Sequence, residues 1–132
     1  MNQIEEAVAA YQTAIDWQKD AADKIPGPSL DLGSLLLDEN RANEALPYLL
    51  DAARIAPDDF RVHRQLGKAY NHLDQLDKAR TELERAVELA PENAQLHFML
   101  AQVYRKQGLM DKARIESERY AALAAANPPG EN

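Results

Sequence analysis

Between Phe60 and Asn93 the apolar residues fall into two runs with helical spacing. Leu66, Gly67, Tyr70 and Leu73 recur every three or four residues, and so do Leu76, Ala79, Leu83, Ala86 and Leu89. That spacing lays side chains along one face of a helix, so each run predicts an amphipathic α-helix. Pro91 stops the second run, because proline has no amide hydrogen to continue the ladder. The stretch therefore predicts a helix–turn–helix hairpin of 34 residues.

The hairpin is repeated. A forward shift of 34 residues carries His63 onto His97, Leu66 onto Leu100, Gly67 onto Ala101 and Tyr70 onto Tyr104. It also carries Asp77-Lys78-Ala79-Arg80 onto Asp111-Lys112-Ala113-Arg114. The reverse shift carries Leu66-Gly67 onto Leu32-Gly33, Ala79 onto Ala45, Leu83 onto Leu49, Ala86 onto Ala52 and Pro91 onto Pro57. A fixed period of this length marks a stack of units, each burying its apolar face on its neighbour. The pattern divides one solenoid into a helix over 1–25, repeats over 26–59, 60–93 and 94–126, and a disordered tail over 127–132.

Local signals refine this division. Met1 to Lys24 reads as one helix, with Asn2 and Glu5 spaced as a capping box. Ala7, Tyr11 and Ala14 share the spacing of Ala79, Leu83 and Ala86, so this helix is expected to be the second half of a repeat without its first. It carries Ile4, Val8, Tyr11 and Trp17 with no evident partner. Pro26-Gly27-Pro28 makes a turn, and Ser29 is expected to cap a helix ending at Asp38. Pro47 is expected to bend the helix from Ala42 to Ile55. Gly108 marks the last hairpin turn, and the final helix departs from the repeat pattern at Ser117, Tyr120 and Ala125.

From about Pro26 onward the chain resembles the tetratricopeptide repeat family. The middle hairpin supplies the Leu66, Gly67, Tyr70, Ala79, Leu83, Ala86 and Pro91 of the family pattern, and departs from it at His63. The small residues fall where helix backbones approach closely, and a larger side chain there would overpack the contact by roughly 1–3 kcal/mol. The resemblance implies an all-α, right-handed superhelix of antiparallel helix pairs. It also implies a non-catalytic module, without a cofactor, that binds protein or peptide segments.

Composition narrows the partners. Fifteen basic residues against 22 acidic ones give a net charge of −7, which argues against binding nucleic acid through its phosphates. There is no cysteine, hence no disulfide or thiolate chemistry. No apolar run approaches the roughly 18 residues of a membrane span, and no signal peptide is visible. His63 and His97 are expected to be half-buried packing residues, and no spacing suggests a metal site. Ser29, Ser34 and Ser117 lack the context of a nucleophile. Glu82, Glu84 and Glu88 are expected on a solvated face.

The resemblance places a binding groove along the first helix of each repeat. Its lining would be Arg61, Arg64, Lys68, Asn71 and His72 in the middle repeat, and Gln95, Phe98, Gln102, Arg105 and Lys106 in the last. The first repeat would add Gly27, Leu30, Ser34, Leu37 and Asp38. Arg61, Arg64, Lys68 and His72 share one helix face. This basic stripe points to an acidic partner, with Leu30 and Leu37 as an apolar patch beside it. The competing expectation is a stripe neutralised by Asp31 and Asp38. The carboxylate clamp of chaperone-binding family members is absent, because Leu30, Ser34, Gln65, Gln95 and Met99 stand in its places. The alternative function is a self-associating unit, or a slice of a longer array, that uses its end helices. A homo-oligomer would then form through the N-terminal helix.

Overall fold

The hairpins form as the spacing predicts. The structure, a computed structural model, describes residues 2–127. They make seven helices: α1 (Gln3–Gln18), α2 (Gly27–Asp38), α3 (Ala42–Ile55), α4 (Phe60–His72), α5 (Leu76–Leu89), α6 (Ala94–Lys106) and α7 (Met110–Ala126). Among the described residues there is no strand. The pairs α2–α3, α4–α5 and α6–α7 pack as hairpins, α3 meets α4, α5 meets α6, and α1 packs on α2.

One small-against-large contact recurs in the hairpins. A Cβ at Gly67 would lie 2.6 Å from Cγ of Leu83, and a Cβ at Gly33 would run into Leu49. Glycine lets the first helix approach until leucine of the second fills the space. The third repeat has two small residues at these places, Ala101 for glycine and Ser117 for leucine. Ser117 thus departs from the family pattern where the opposing backbone already carries a methyl. Its hydroxyl accepts a hydrogen bond from Arg105 Nη2 at 2.7 Å.

The hairpin turns repeat as closely. Asn40, Asp74 and Gly108, spaced by 34, all adopt positive φ of 59°, 57° and 78°. The amide after each bonds back to the carbonyl five residues earlier: Arg41 to Leu36 at 2.8 Å, Gln75 to Tyr70 and Leu109 to Tyr104 at 2.9 Å. This closure needs a residue that tolerates the left-handed region, which Asn, Asp and Gly do at least cost.

Several expectations need correction. Helix α1 stops at Gln18 because the Gln18 amide turns back onto Ile25, donating to its carbonyl at 2.8 Å and accepting from its N–H at 3.1 Å. Val8 is buried, with Ile4, Tyr11 and Ile15 packed on the same core, so this face is covered within the chain. Trp17 alone of the expected set stays outside, 87% exposed. Ser29 caps nothing: it is fully buried and donates to Asp51 Oδ2 of α3 at 2.9 Å. Leu30 and Leu37 join the core with Val8 and form no exposed patch. Pro47 lies inside α3, as expected, and the helix continues through it. The tail expected over 127–132 lies, apart from Asn127, outside the described residues.

The interlock predicts a change of sign. Gly67→Ala gains up to about 1 kcal/mol in helix propensity but meets Leu83, so a net loss of about 1 kcal/mol is expected. In a Leu83→Ala background the clash is gone, and the same substitution should stabilise. Urea unfolding of the four proteins measures both; a loss of equal size in both backgrounds would remove the interlock from the account.

Candidate functional site

Between α4 and α6 lies an open hollow of about 400 Å³. Gly67 of α4 and Leu83 of α5 form part of its lining. Arg64, Lys68, Asn71 and His72 line it from α4, and Gln95 and Gln102 from α6. Of the ten residues expected in the groove from the middle and last repeats, these six share the hollow and Arg61, Phe98, Arg105 and Lys106 do not. Gln65 and Met99, also in the lining, were expected only as replacements for clamp residues.

The charges in the hollow differ in how they are held. Arg61 leaves the stripe: its Nη2 donates to Asp59 Oδ2 at 2.7 Å and its Nε to Oδ1 at 3.1 Å. That pairing holds the Asp59 carboxyl below the usual carboxylate range and raises the Arg61 guanidinium. Asp59 also caps α4 by accepting from the Arg61 amide at 3.0 Å. Lys68 faces Asp38 across 3.7 Å, with both side chains substantially exposed. Such a contact contributes little and exchanges readily. Arg64 has no carboxylate partner among the described residues; its guanidinium lies 5.8 Å from the centre of the Phe60 ring. His72 is exposed at the end of α4.

The remaining expected residues are engaged at the edges. Asn71 Oδ1 accepts from Lys106 Nζ at 2.8 Å, bridging α4 and α6. Gln65 Nε2 donates to Ser34 Oγ at 2.8 Å. Arg105 is drawn to Ser117. Phe98 rests on Tyr120 with ring centres 5.3 Å apart and remains 37% exposed.

The two repeated histidines are bound on both nitrogens. His63 Nδ1 meets Glu82 Oε2 at 2.7 Å and its Nε2 meets the Pro57 carbonyl at 2.6 Å. One period later, His97 meets Glu116 and the Pro91 carbonyl, both at 2.6 Å. Each histidine thereby ties the two helices of its hairpin to the turn before it. With both nitrogens engaged, neither is free to ligate a metal. No group of three or more potential metal ligands occurs among the described residues. The carboxylates expected on a solvated face are partly structural too: Glu82 holds His63, and Glu84 accepts from the Tyr104 hydroxyl at 2.6 Å. Burial, with that bond second, pushes the Tyr104 hydroxyl above its usual range.

Comparison with known proteins agrees with this architecture. A tetratricopeptide repeat model matches residues 60–103, and a second one matches 30–59 and 94–127. No curated protein sequence matches the chain significantly. Solved structures do. MamA from Desulfovibrio magneticus RS-1 superposes with a TM-score of 0.85 at 24% identity, over 95% of this chain and 68% of that one. A MamA RS-1 double mutant gives 0.87 at 24%, over 96% and 69%. A further MamA crystal structure gives 0.86 at 22%, over 94% and 70%. At such identities the likeness extends to the fold alone.

The two histidine clasps differ in burial, and that difference sets an expected order. The side chains of His97 and Glu116 are 4% and 8% exposed, against 13% and 23% for His63 and Glu82. Glu116→Ala strands a buried imidazole and should cost about 2–4 kcal/mol. Glu82→Ala should cost roughly 1–2 kcal/mol, because water reaches that ring. Denaturant midpoints measure the difference; equal losses would contradict the role of burial.

Proposed function

The chain belongs to the tetratricopeptide repeat family, and on that premise we propose that its hollow between α4 and α6 holds an acidic segment of a protein partner. The repeats and the fold make it a protein-interaction scaffold, of a family that is typically non-catalytic. The observation that carries the finer reading is the state of Arg64 and Lys68. In a chain of net charge −7, where most arginines sit on carboxylates, these two line one hollow without a tight acidic partner. Desolvating an unpaired guanidinium is costly, whereas a carboxylate satisfies its planar fork with two hydrogen bonds. Gln95, Gln102 and His72 add hydrogen-bonding groups around the cations. The proposed site residues are thus Arg64, Lys68, Asn71, His72, Gln95 and Gln102, with Phe98 at the margin.

The same charge balance works against nucleic acid as the partner, and no described helix is long and apolar enough to cross a membrane. A second reading, self-association through the N-terminal region, draws on Trp17 and Ile25, which are 87% and 60% exposed. Mass in solution across a range of concentrations separates the two readings.

Selection from a library of displayed random peptides tests the acidic-segment reading. The wild-type protein should enrich Asp and Glu, with binding that weakens as salt is raised. Arg64→Glu combined with Lys68→Glu should abolish that enrichment while leaving helicity and melting temperature nearly unchanged. Enrichment that survives the double substitution would contradict the assignment.

A further inference from the structure

The far end of α7 carries a second hollow, and the repeat register shows that it has changed its use. At the junction of the second and third repeats, Leu96 of α6 is fully buried with Ala86 of α5 and Ala90 just past its end. One period later those two alanines become Tyr120 and Ala124. A helix seated here as α6 is seated on α5 would meet the Tyr120 ring, since overpacking a close helix contact is unfavourable. The ring leans instead onto Phe98. Beside it an open hollow of about 520 Å³ is lined by Tyr120, Leu123, Ala124 and Ala126 of α7, by Ala94 and Gln95 of α6, and by Glu92, Asn93 and Asn127. Gln95 also lines the cation-bearing hollow.

We infer that the two hollows form one bipartite site, in which the segment that places acidic residues at Arg64 and Lys68 seats an adjacent aliphatic or aromatic side chain against Tyr120, Leu123 and Ala124. This rests on the acidic-segment reading and adds the second determinant of the partner. Three observations favour a single peptide over other occupants. Gln95 lines both hollows. Tyr120 obstructs a further stacked helix. A segment that crosses Gln95 from the cations meets the surface of Tyr120, Leu123 and Ala124. The site also relocates the apolar anchor from the first repeat, where Leu30 and Leu37 are buried, to the last.

The test uses two fluorescein-labelled synthetic peptides: a glutamate-rich one in a Gly-Ser background, and the same peptide with one Ser replaced by Phe. Fluorescence anisotropy on the wild-type protein should give about tenfold tighter binding for the Phe peptide, within what burial of one aromatic side chain supplies. Ala124→Gln puts a polar side chain into the hollow at an accommodating helix end and should erase that gain without weakening the Phe-free peptide. Leu123→Ser should do the same, which guards against a fold defect in either variant. Arg64→Glu with Lys68→Glu should weaken both peptides. Equal affinity of the two peptides for the wild type would overturn the bipartite site while leaving the acidic-segment reading intact. A dimer that Ala124→Gln dissolves would also overturn it, by giving the hollow to a second copy. Failure of both peptides to bind would remove the acidic-segment reading and this inference together.

Discussion

A missing side chain sets the distance between helices in this protein. Gly33 and Gly67 leave no Cβ, so Leu49 and Leu83 fill that space and the hairpins close tightly. The third repeat places Ala101 opposite Ser117, with the alanine buried and the serine half-buried. The contact of Gly67 with Leu83 borders the hollow proposed as the binding surface. Gly67 and Leu83 both line it, together with Arg64 and Lys68, which lie three residues before and one after that glycine.

Charge is then distributed around that hollow by short-range pairing. Arg41 holds Glu5 and Glu44, Arg85 holds Asp58 and Glu88, and Arg119 holds Glu116. Arg61 folds onto its own helix cap. What remains around the hollow is a loosely held lysine and an arginine stacked near Phe60. An acidic chain thus carries a local site of opposite character, which suits recognition of acidic segments over indiscriminate adhesion.

Much of the fold was legible because period and residue size act locally. The 34-residue shift marked both glycines, both leucines and the hairpin ends before any contact was known. The turns were legible as well, since Asn40, Asp74 and Gly108 share the period, although only the glycine reads as a turn at first sight. Less of the site could be read. Nothing in helical spacing shows that Arg61 turns back two residues to Asp59, or that Glu82 reaches a histidine nineteen residues away. Leu30 and Leu37 were misplaced because their burial involves α1, which precedes the repeats and packs on α2. The length of α1 depended on the Gln18 side chain capturing Ile25, a contact that no propensity encodes.

The central claim is that the surface between α4 and α6 is where a partner is held. Amide chemical shifts of the ¹⁵N-labelled protein, followed while a glutamate-rich peptide is added at low salt, test it most directly. The account predicts perturbations centred on Arg64, Lys68, Asn71, His72, Gln95 and Gln102, fading along α1 and α3. Perturbations centred on Trp17 and Ile25 with α4 and α6 silent, or none at saturating peptide, would contradict it.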